Sequence, residues 1–106
     1  MKKGNITIIG CGNLGQSLLK GLIKTKEIGG NRISVSKRNT AELEHFKKHG
    51  VQVLSDNTKA IEGAELILLA LKPYNILEVL KELAPAIDPD NQVVVSLATG
   101  VSLKEL

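Results

Sequence analysis

Residues 10–15 read Gly-Cys-Gly-Asn-Leu-Gly and form a complete G-x-G-x-x-G pattern. In a loop between a strand and a helix, the first glycine permits a tight turn and the second lets a diphosphate approach the backbone. The third lets the helix pack on the strand, and the helix N-terminus adds N–H donors and partial positive charge. Because the β-branched run NITIIG precedes these glycines and leucines at helical spacing follow them, we interpret residues 10–15 as a dinucleotide-binding turn.

Two other glycine-rich sites fit this stretch less well. A P-loop requires a lysine and a hydroxyl residue directly after its last glycine, whereas Gln16 and Ser17 follow Gly15. An S-adenosylmethionine site commonly has an acid at the end of the second strand, and none is present here. We expect Cys11, inside the loop, to be a small filler rather than a redox group.

Two cations follow the second predicted strand, in the stretch SVSKRNT at residues 34–40. NAD-binding proteins usually carry Asp or Glu about 20 residues beyond the glycine loop, where it accepts a hydrogen bond from the ribose 2′-OH. This chain has Ser36, Lys37 and Arg38 instead. A hydroxyl donates to phosphate without adding negative charge, and arginine forms paired bonds to phosphate oxygens and stacks on adenine. The sequence therefore predicts NADP(H) rather than NAD(H), the alternative being a solvated loop.

Length, composition and net charge narrow the classes of protein to which this sequence can belong. A length of 106 residues with 42% hydrophobic and 24% charged residues fits one ordinary globular domain. The net charge of +3 is mildly basic, but 2% aromatic content argues against the stacking platforms that bind single-stranded nucleic acid. The longest apolar run, Leu66 to Leu71, is too short to span a bilayer. We expect a cytoplasmic protein that binds neither nucleic acid nor membrane.

Apolar runs alternate with helical stretches along the whole chain. The predicted strands are NITIIG, RISVS, VQVL, AELILLAL, which is nearly all apolar and is expected near the centre, and QVVVSLA. The predicted helices run from Asn13 to about Lys26, from a Thr40 cap to Gly50, from Asp56 to about Ile61, and from Pro73 to near Pro85. Their predicted inward or periodic residues are, in order, Leu14, Leu18, Leu22 and Thr25; Leu43 and Phe46; and, in the last helix, Ile76, Leu80, Leu83 and Ala84.

This order predicts an α/β fold, a Rossmann-like doubly wound parallel sheet that forms a single domain over residues 1–106. At its end, Ser102 and Glu105 have the spacing of a capping box that opens a helix. One isolated turn is not stable, so we expect a longer protein with a second domain. A flexible tail is the alternative.

Taken together, these motifs resemble the N-terminal half of pyrroline-5-carboxylate reductases, which have 6-phosphogluconate-dehydrogenase-like N-terminal domains. The resemblance covers nearly all of the chain and rests on IIGCGNLGQSLLKGL, SVSKRN, SDN at 55–57, LALKP at 69–73 and SLATGVS at 96–102. It implies reduction of 1-pyrroline-5-carboxylate to L-proline by hydride transfer from a nicotinamide, in proline biosynthesis. It also implies a second, helical domain, not contained in this chain, that forms a homo-oligomer and contacts substrate. We therefore expect the 106-residue chain to bind cofactor but to be inactive alone.

Carried over residue by residue, the resemblance implies a set of cofactor contacts. The pyrophosphate would be held by Ile9, Gly10, Cys11, Gly12, Asn13 and Leu14. The 2′-phosphate would meet Ser36 and Arg38, with Lys37 a weaker candidate, and the adenosine end would meet Asn57. The cofactor cleft would be lined by Ala70, Leu71, Lys72 and Pro73, and the nicotinamide end by Leu97, Ala98 and Thr99. Tyr74 and Thr99 depart from the residues common in the family, which leaves the nicotinamide end less well matched.

Some candidates have a plain structural interpretation. Lys72 could donate a proton if burial lowered its pKa, but a polar tether for the loop or cofactor is the simpler hypothesis. His45 and His49 are four apart, yet the segment HFKKH has two lysines and no third ligand, which favours a solvated helix face over a metal site. Two alternative functions stay open: a non-catalytic NADP(H)-sensing module, and another NADP-dependent reductase of the same superfold.

Overall fold

The computed structural model describes residues 5–10, 12–25, 29–71 and 73–96, with only the backbone described at positions 13, 14, 73 and 74. Within these ranges five parallel strands form one sheet in the order β3-β2-β1-β4-β5. The strands are β1 (Ile6–Ile9), β2 (Ile33–Ser36), β3 (Gln52–Leu54), β4 (Leu66–Leu69) and β5 (Val93–Ser96). This confirms the predicted α/β sheet.

The middle strand is β1, paired with β2 on one side and β4 on the other. Ile6 lies opposite both Ile33 and Leu66, and Ile9 lies opposite both Ser36 and Leu69, so these three strands end at the same level. All four residues of β1 are buried, as expected for a parallel strand covered on both faces. The apolar run predicted to be central, β4, is therefore an interior strand beside the middle one.

In the described part of the chain, three α-helices and three 3₁₀ segments connect the strands. The helices are α1 (Asn13–Thr25), α2 (Asn57–Ala60) and α3 (Pro73–Leu83), and the 3₁₀ segments are Gly30–Arg32, Thr40–His49 and Ala84–Ala86. Pro73 opens α3, as predicted, because its fixed φ and missing N–H suit the first helical position. The predicted capping box at Ser102 and Glu105 lies outside the described residues.

The second connection differs from the sequence-based expectation. Residues Thr40–His49 form a 3₁₀ helix rather than an α-helix, and Asn39 caps it instead of Thr40, with Asn39 Oδ1 accepting a hydrogen bond from Ala41 N at 3.0 Å. Its buried residues, Leu43 and Phe46, are three apart and so stack on the same side of a helix with 3.0 residues per turn. Gly50 ends it with φ +88°, a left-handed value that suits glycine.

Two apolar layers sandwich the sheet. On one face Ile8, Val35 and Leu68 pack with residues of α1 and of the Thr40–His49 segment. On the other face Ile67 and Leu69 pack with residues of α2 and α3 and of the turn after α2. The Thr7 hydroxyl, buried on this second face, donates a 2.6 Å hydrogen bond to Ala60 O. Helices therefore cover both faces, which makes the domain doubly wound.

Two predicted helix faces need correction. In α1 the fully buried residue is Leu19, while Thr25 is exposed. Leu18 and Leu22 are half-buried and pack against the core. Thr25 is six residues beyond Leu19, which places it about 120° away around the helix and outside the core. In the last helix Ile76 and Leu83 are buried as predicted, but Ala84 is exposed because the chain there has already changed to a 3₁₀ turn.

We predict that Leu19→Ala lowers the free energy of unfolding by about 2–5 kcal/mol, the usual cost of emptying a fully buried leucine site. Leu19 is 0% exposed, whereas Leu77 on α3 is 53% exposed and provides the matched control. Leu77→Ala should change stability by less than about 1 kcal/mol. Urea unfolding followed by circular dichroism measures both, and equal losses would contradict this assignment of the core.

Candidate functional site

A cavity of about 490 Å³ opens at the carboxyl ends of the strands, beside β1 and β2. Its floor is the turn after β1, one wall is the turn after β2, and the opposite wall is α3. The seven predicted cofactor-binding residues that line it are Ile9, Gly10, Gly12, Lys37, Arg38, Asn57 and Leu71. Parallel α/β sheets bind ligands at this edge, so the topology and the motif indicate the same place.

The turn after β1 is fixed by its backbone. Gly10 N donates to Ser36 O at 3.0 Å, which extends the ladder between β1 and β2 by one residue. Gly10 has φ +72°, and a Cβ built on it would lie 2.2 Å from Leu71 Cδ2, so a side chain is excluded by conformation and by space. At Gly12 the nearest atom to such a Cβ is 3.8 Å away. Gly12 lines the cavity, and a Cβ there would make ordinary van der Waals contact with Gly10 O.

Lys37 and Arg38 both line the cavity but differ in their partners. Lys37 Nζ forms a 2.5 Å ion pair with Glu42 Oε2, and Gln16 Nε2 donates to the same oxygen at 3.4 Å. The hydrogen bond from the Lys37 ammonium, and then its charge, lower the pKa of the Glu42 carboxyl. Arg38 is exposed, and no ion pair of its guanidinium occurs within the described part of the chain. Arg38 is therefore the cation with free donors.

We predicted that Ser36 contacts the 2′-phosphate, but Ser36 is not among the residues that line the cavity. Its side chain is 0% exposed, and its hydroxyl donates a 2.6 Å hydrogen bond to Asn57 Oδ1. Asn57 Nδ2 in turn donates to Glu82 Oε1 at 3.0 Å. Ser36 thus positions Asn57 in this structure, and direct contact of Ser36 with a phosphate stays a prediction.

Asp56 sets the start of α2 and with it the place of Asn57. Asp56 Oδ1 accepts hydrogen bonds from Thr58 Oγ1 at 2.6 Å, from Thr58 N at 2.9 Å and from Lys59 N at 3.4 Å. These bonds, led by the one from the Thr58 hydroxyl, lower the pKa of the Asp56 carboxyl. The predicted start of this helix at Asp56 is confirmed.

Sequence reasoning missed the α3 wall. Its cavity-lining residues are Asn75, Glu78, Val79 and Glu82, and Ser55 lines the cavity from the turn after β3. The four α3 positions follow the i, i+3, i+4, i+7 spacing of one helix face. That face lies roughly 90° around the helix from the buried residues Ile76 and Leu83. This mainly polar stripe was the only sign in the sequence of the α3 wall, although a solvent-facing helix surface has the same pattern.

The remaining predicted residues fall into three groups. Ala70 lies beside the Gly10 turn, where its N–H donates to Ile9 O at 2.9 Å, but its side chain packs against the core. The backbone at positions 13, 14 and 73 is described, and their side chains are not. Predictions for Cys11, Lys72, Leu97, Ala98 and Thr99 lie outside the described residues.

Two further sequence observations have a structural outcome. His45 and His49 are exposed on the 3₁₀ segment, where four residues turn the chain by about 480°, so their side chains do not share a face. In the described ranges no group of three or more metal-ligating side chains of the His, Cys, Asp or Glu type occurs. Over the same ranges, no helix has the length and apolar character required to cross a membrane.

Comparison with known proteins decides the family. Residues 5–100 match the family described as NADP oxidoreductase coenzyme F420-dependent. The chain belongs to this family.

Relatives of this NADP oxidoreductase family member carry a more specific name. The chain is 36% identical over 110 residues to a pyrroline-5-carboxylate reductase of Pasteurella multocida (strain Pm70), covering 100% of this chain and 39% of that protein. It is 33% identical to pyrroline-5-carboxylate reductase 3 of Danio rerio, over 95% of this chain and 35% of the relative. The chain thus spans well under half the length of these relatives.

Solved structures agree with the family assignment. A pyrroline-5-carboxylate reductase from Coxiella burnetii superimposes with a TM-score of 0.88 at 36% identity, covering 97% of this chain and 38% of the other. A pyrroline carboxylate reductase of Plasmodium falciparum, solved with NADP bound, has a TM-score of 0.81 at 17% identity, covering 99% of this chain and 37% of the other. At that identity the second match supports the fold alone. The predicted resemblance and fold are confirmed.

We predict that the acid limb of the pH–stability profile, which is the loss of stability of this protein as the pH falls, depends on Asp56. Because hydrogen bonds lower its pKa in the folded state, its contribution is present above the unfolded pKa, near 4, and is lost as the pH falls through the lower folded value. Asp56→Asn retains a capping oxygen but removes the titrating charge. Melting temperatures between about pH 7 and pH 2.5 should therefore fall less steeply for Asp56→Asn than for the unaltered protein.

Glu44 is the control for this pH dependence. It is an exposed carboxylate paired with Lys47 at 3.0 Å, away from α2. Glu44→Gln should leave the acid limb almost unchanged, since an exposed ion pair contributes little. If Asp56→Asn and the unaltered protein lost stability in parallel, the cap would not be the titrating contribution.

Proposed function

We propose that this chain is the NADP(H)-binding domain of a pyrroline-5-carboxylate reductase, which reduces 1-pyrroline-5-carboxylate to L-proline in proline biosynthesis. The observation that carries the proposal is the cavity formed by the Gly10 turn and the Lys37–Arg38 turn at adjacent strand ends. Relatives and a similar solved structure that carry the reductase name support the choice of substrate.

The residues fit the two ends of a dinucleotide. The backbone at Gly12 offers an open, side-chain-free approach for a diphosphate, and the first turn of α1 carries no acidic residue to repel it. Arg38, exposed at the other end of the cavity, offers guanidinium donors to a 2′-phosphate and a flat surface for adenine. When bound, the nicotinamide supplies the hydride, and the protein binds and orients it.

Preference for NADP(H) over NAD(H) is the finer part of the proposal. It is supported by two cations and the absence of an acid directly after β2, where NAD-binding domains usually place one. Of the two, Arg38 has the greater role, because the Lys37 ammonium is already paired with Glu42.

We predict that Arg38→Ala weakens NADPH binding by about 1.5–3 kcal/mol, the range for a hydrogen bond to a charged group, and leaves NADH binding nearly unchanged. Arg32 is the matched control, an exposed arginine just before β2 and therefore at the far end of that strand from the cavity. Arg32→Ala should change neither affinity. Calorimetric titration with both cofactors measures this, and an equal loss for NADPH and NADH on Arg38→Ala would exclude a 2′-phosphate role.

Activity tests the substrate assignment. We expect the full-length protein to oxidise NADPH in the presence of 1-pyrroline-5-carboxylate and to form proline, with absorbance at 340 nm and amino-acid analysis as readouts. A second domain, a homo-oligomer and a cytoplasmic location belong to the same proposal, on family resemblance. Cofactor binding without proline formation from either NADPH or NADH would refute the reductase assignment and favour a nucleotide-sensing module or another reductase.

A further inference from the structure

Two carboxylates share the cavity with the two cations. Glu78 and Glu82 on α3 line the same cavity as Lys37 and Arg38. The sequence has no acid directly after β2, but the fold brings these two acids from a helix more than 40 residues further along. The turn after β2 by itself is cationic, whereas the complete lining of the cavity carries both charges.

Glu82 is tied to the predicted adenosine-binding residue. Asn57 Oδ1 accepts a 2.6 Å hydrogen bond from the buried Ser36 hydroxyl, so the amide nitrogen points the other way and donates to Glu82 Oε1 at 3.0 Å. An amide has one accepting and one donating end, and this chain of bonds fixes which end faces α3. The Ser36 hydroxyl, expected to meet the 2′-phosphate, and one N–H of the Asn57 amide, expected at the adenosine end, are therefore engaged within the protein.

The charge balance near these donors is correspondingly less positive. Lys37 is paired with Glu42, which leaves Arg38 as the cation without an ion pair among the described residues lining the cavity. A carboxylate accepts a hydrogen bond from a ribose hydroxyl, whereas it repels a phosphate dianion. Glu82 thus has the chemistry of the acid that is missing after β2.

We propose that Glu82 is a specificity-determining residue of the adenosine-ribose subsite. Its carboxylate opposes a 2′-phosphate and holds the Asn57 amide for an unphosphorylated ribose, which limits the preference for NADP(H) that Arg38 provides. This inference rests on the proposed dinucleotide function of the cavity. In this inference Glu82 on α3 favours an unphosphorylated ribose, whereas Arg38 after β2 favours a 2′-phosphate.

Glu82→Gln tests the proposal, because glutamine keeps an oxygen that accepts from Asn57 Nδ2 and removes only the charge. Dissociation constants for NADP+, NAD+, 2′-phospho-ADP-ribose and ADP-ribose are measured by calorimetry on the full-length protein. The ratio of affinities for phosphorylated over unphosphorylated ligand should rise about three- to tenfold at low ionic strength and less in 0.5 M salt, as screening requires. The two ADP-ribose probes confine the comparison to the adenosine half.

Glu62→Gln is the control, since Glu62 is an exposed acid on a different cavity, bordered by Gly63 and Asp88. It makes the same change in net charge and should leave the ratio unaltered. An unchanged ratio in Glu82→Gln, or an equal rise in both variants, would overturn the role of Glu82 while leaving the cofactor site intact. Failure of the unaltered protein to bind any of the four ligands would instead overturn the proposed function and this inference with it.

Discussion

The backbone of Gly10 is the constraint on which the candidate site depends. Its N–H continues the ladder to Ser36 O at 3.0 Å, while the carbonyl of the preceding residue, Ile9, accepts from Ala70 N at 2.9 Å on the other side. The middle strand is thus tied to both neighbours at the point where it ends. Gly10 has φ +72°, and Leu71 occupies the place where its Cβ would lie, so a side chain there would be strained and crowded. The position of the second turn, with Lys37 and Arg38, follows from the same register.

Much of the fold follows from sequence because parallel strands leave a strong signal. Buried on both faces, β1 and β4 appear as continuous apolar runs, and a glycine or a proline marks where the flanking turn or helix begins. The local choice between a 3₁₀ helix and an α-helix was harder to predict from the sequence. The 3₁₀ geometry of Thr40–His49 fits an i, i+3 pair, but Leu43 and Phe46 suit an α-helix nearly as well in sequence, and only packing decides between them.

The backbone turn of the candidate site could be predicted from the sequence, whereas the arrangement of its side chains could be predicted only in part. The Gly10 turn is contiguous in sequence, so its pattern is visible directly. Glu82 and Asn57 are 25 residues apart and meet only because consecutive right-handed connections bring α2 and α3 to the same face of the sheet. The sequence did not predict the burial of Ser36 either. A serine followed by Lys37 and Arg38 gives no sign that its hydroxyl points into the protein.

The two halves of the cavity are held in place by different means. The half proposed for the diphosphate consists of main chain, fixed by the sheet ladder and by the absence of side chains at Gly10 and Gly12. The half proposed for adenosine depends on Asn57, which begins a helix of four residues. So short a helix has no stability of its own, and it persists because Asp56 caps its start and the Thr7 hydroxyl bonds to its last carbonyl, at Ala60. Under the proposed function, we therefore expect a substitution in one of these side chains to alter ribose recognition and to leave the Gly10 turn intact. Because the strand register is set by the backbone ladders, we expect that the choice between the two cofactors can vary on this scaffold without a change of fold.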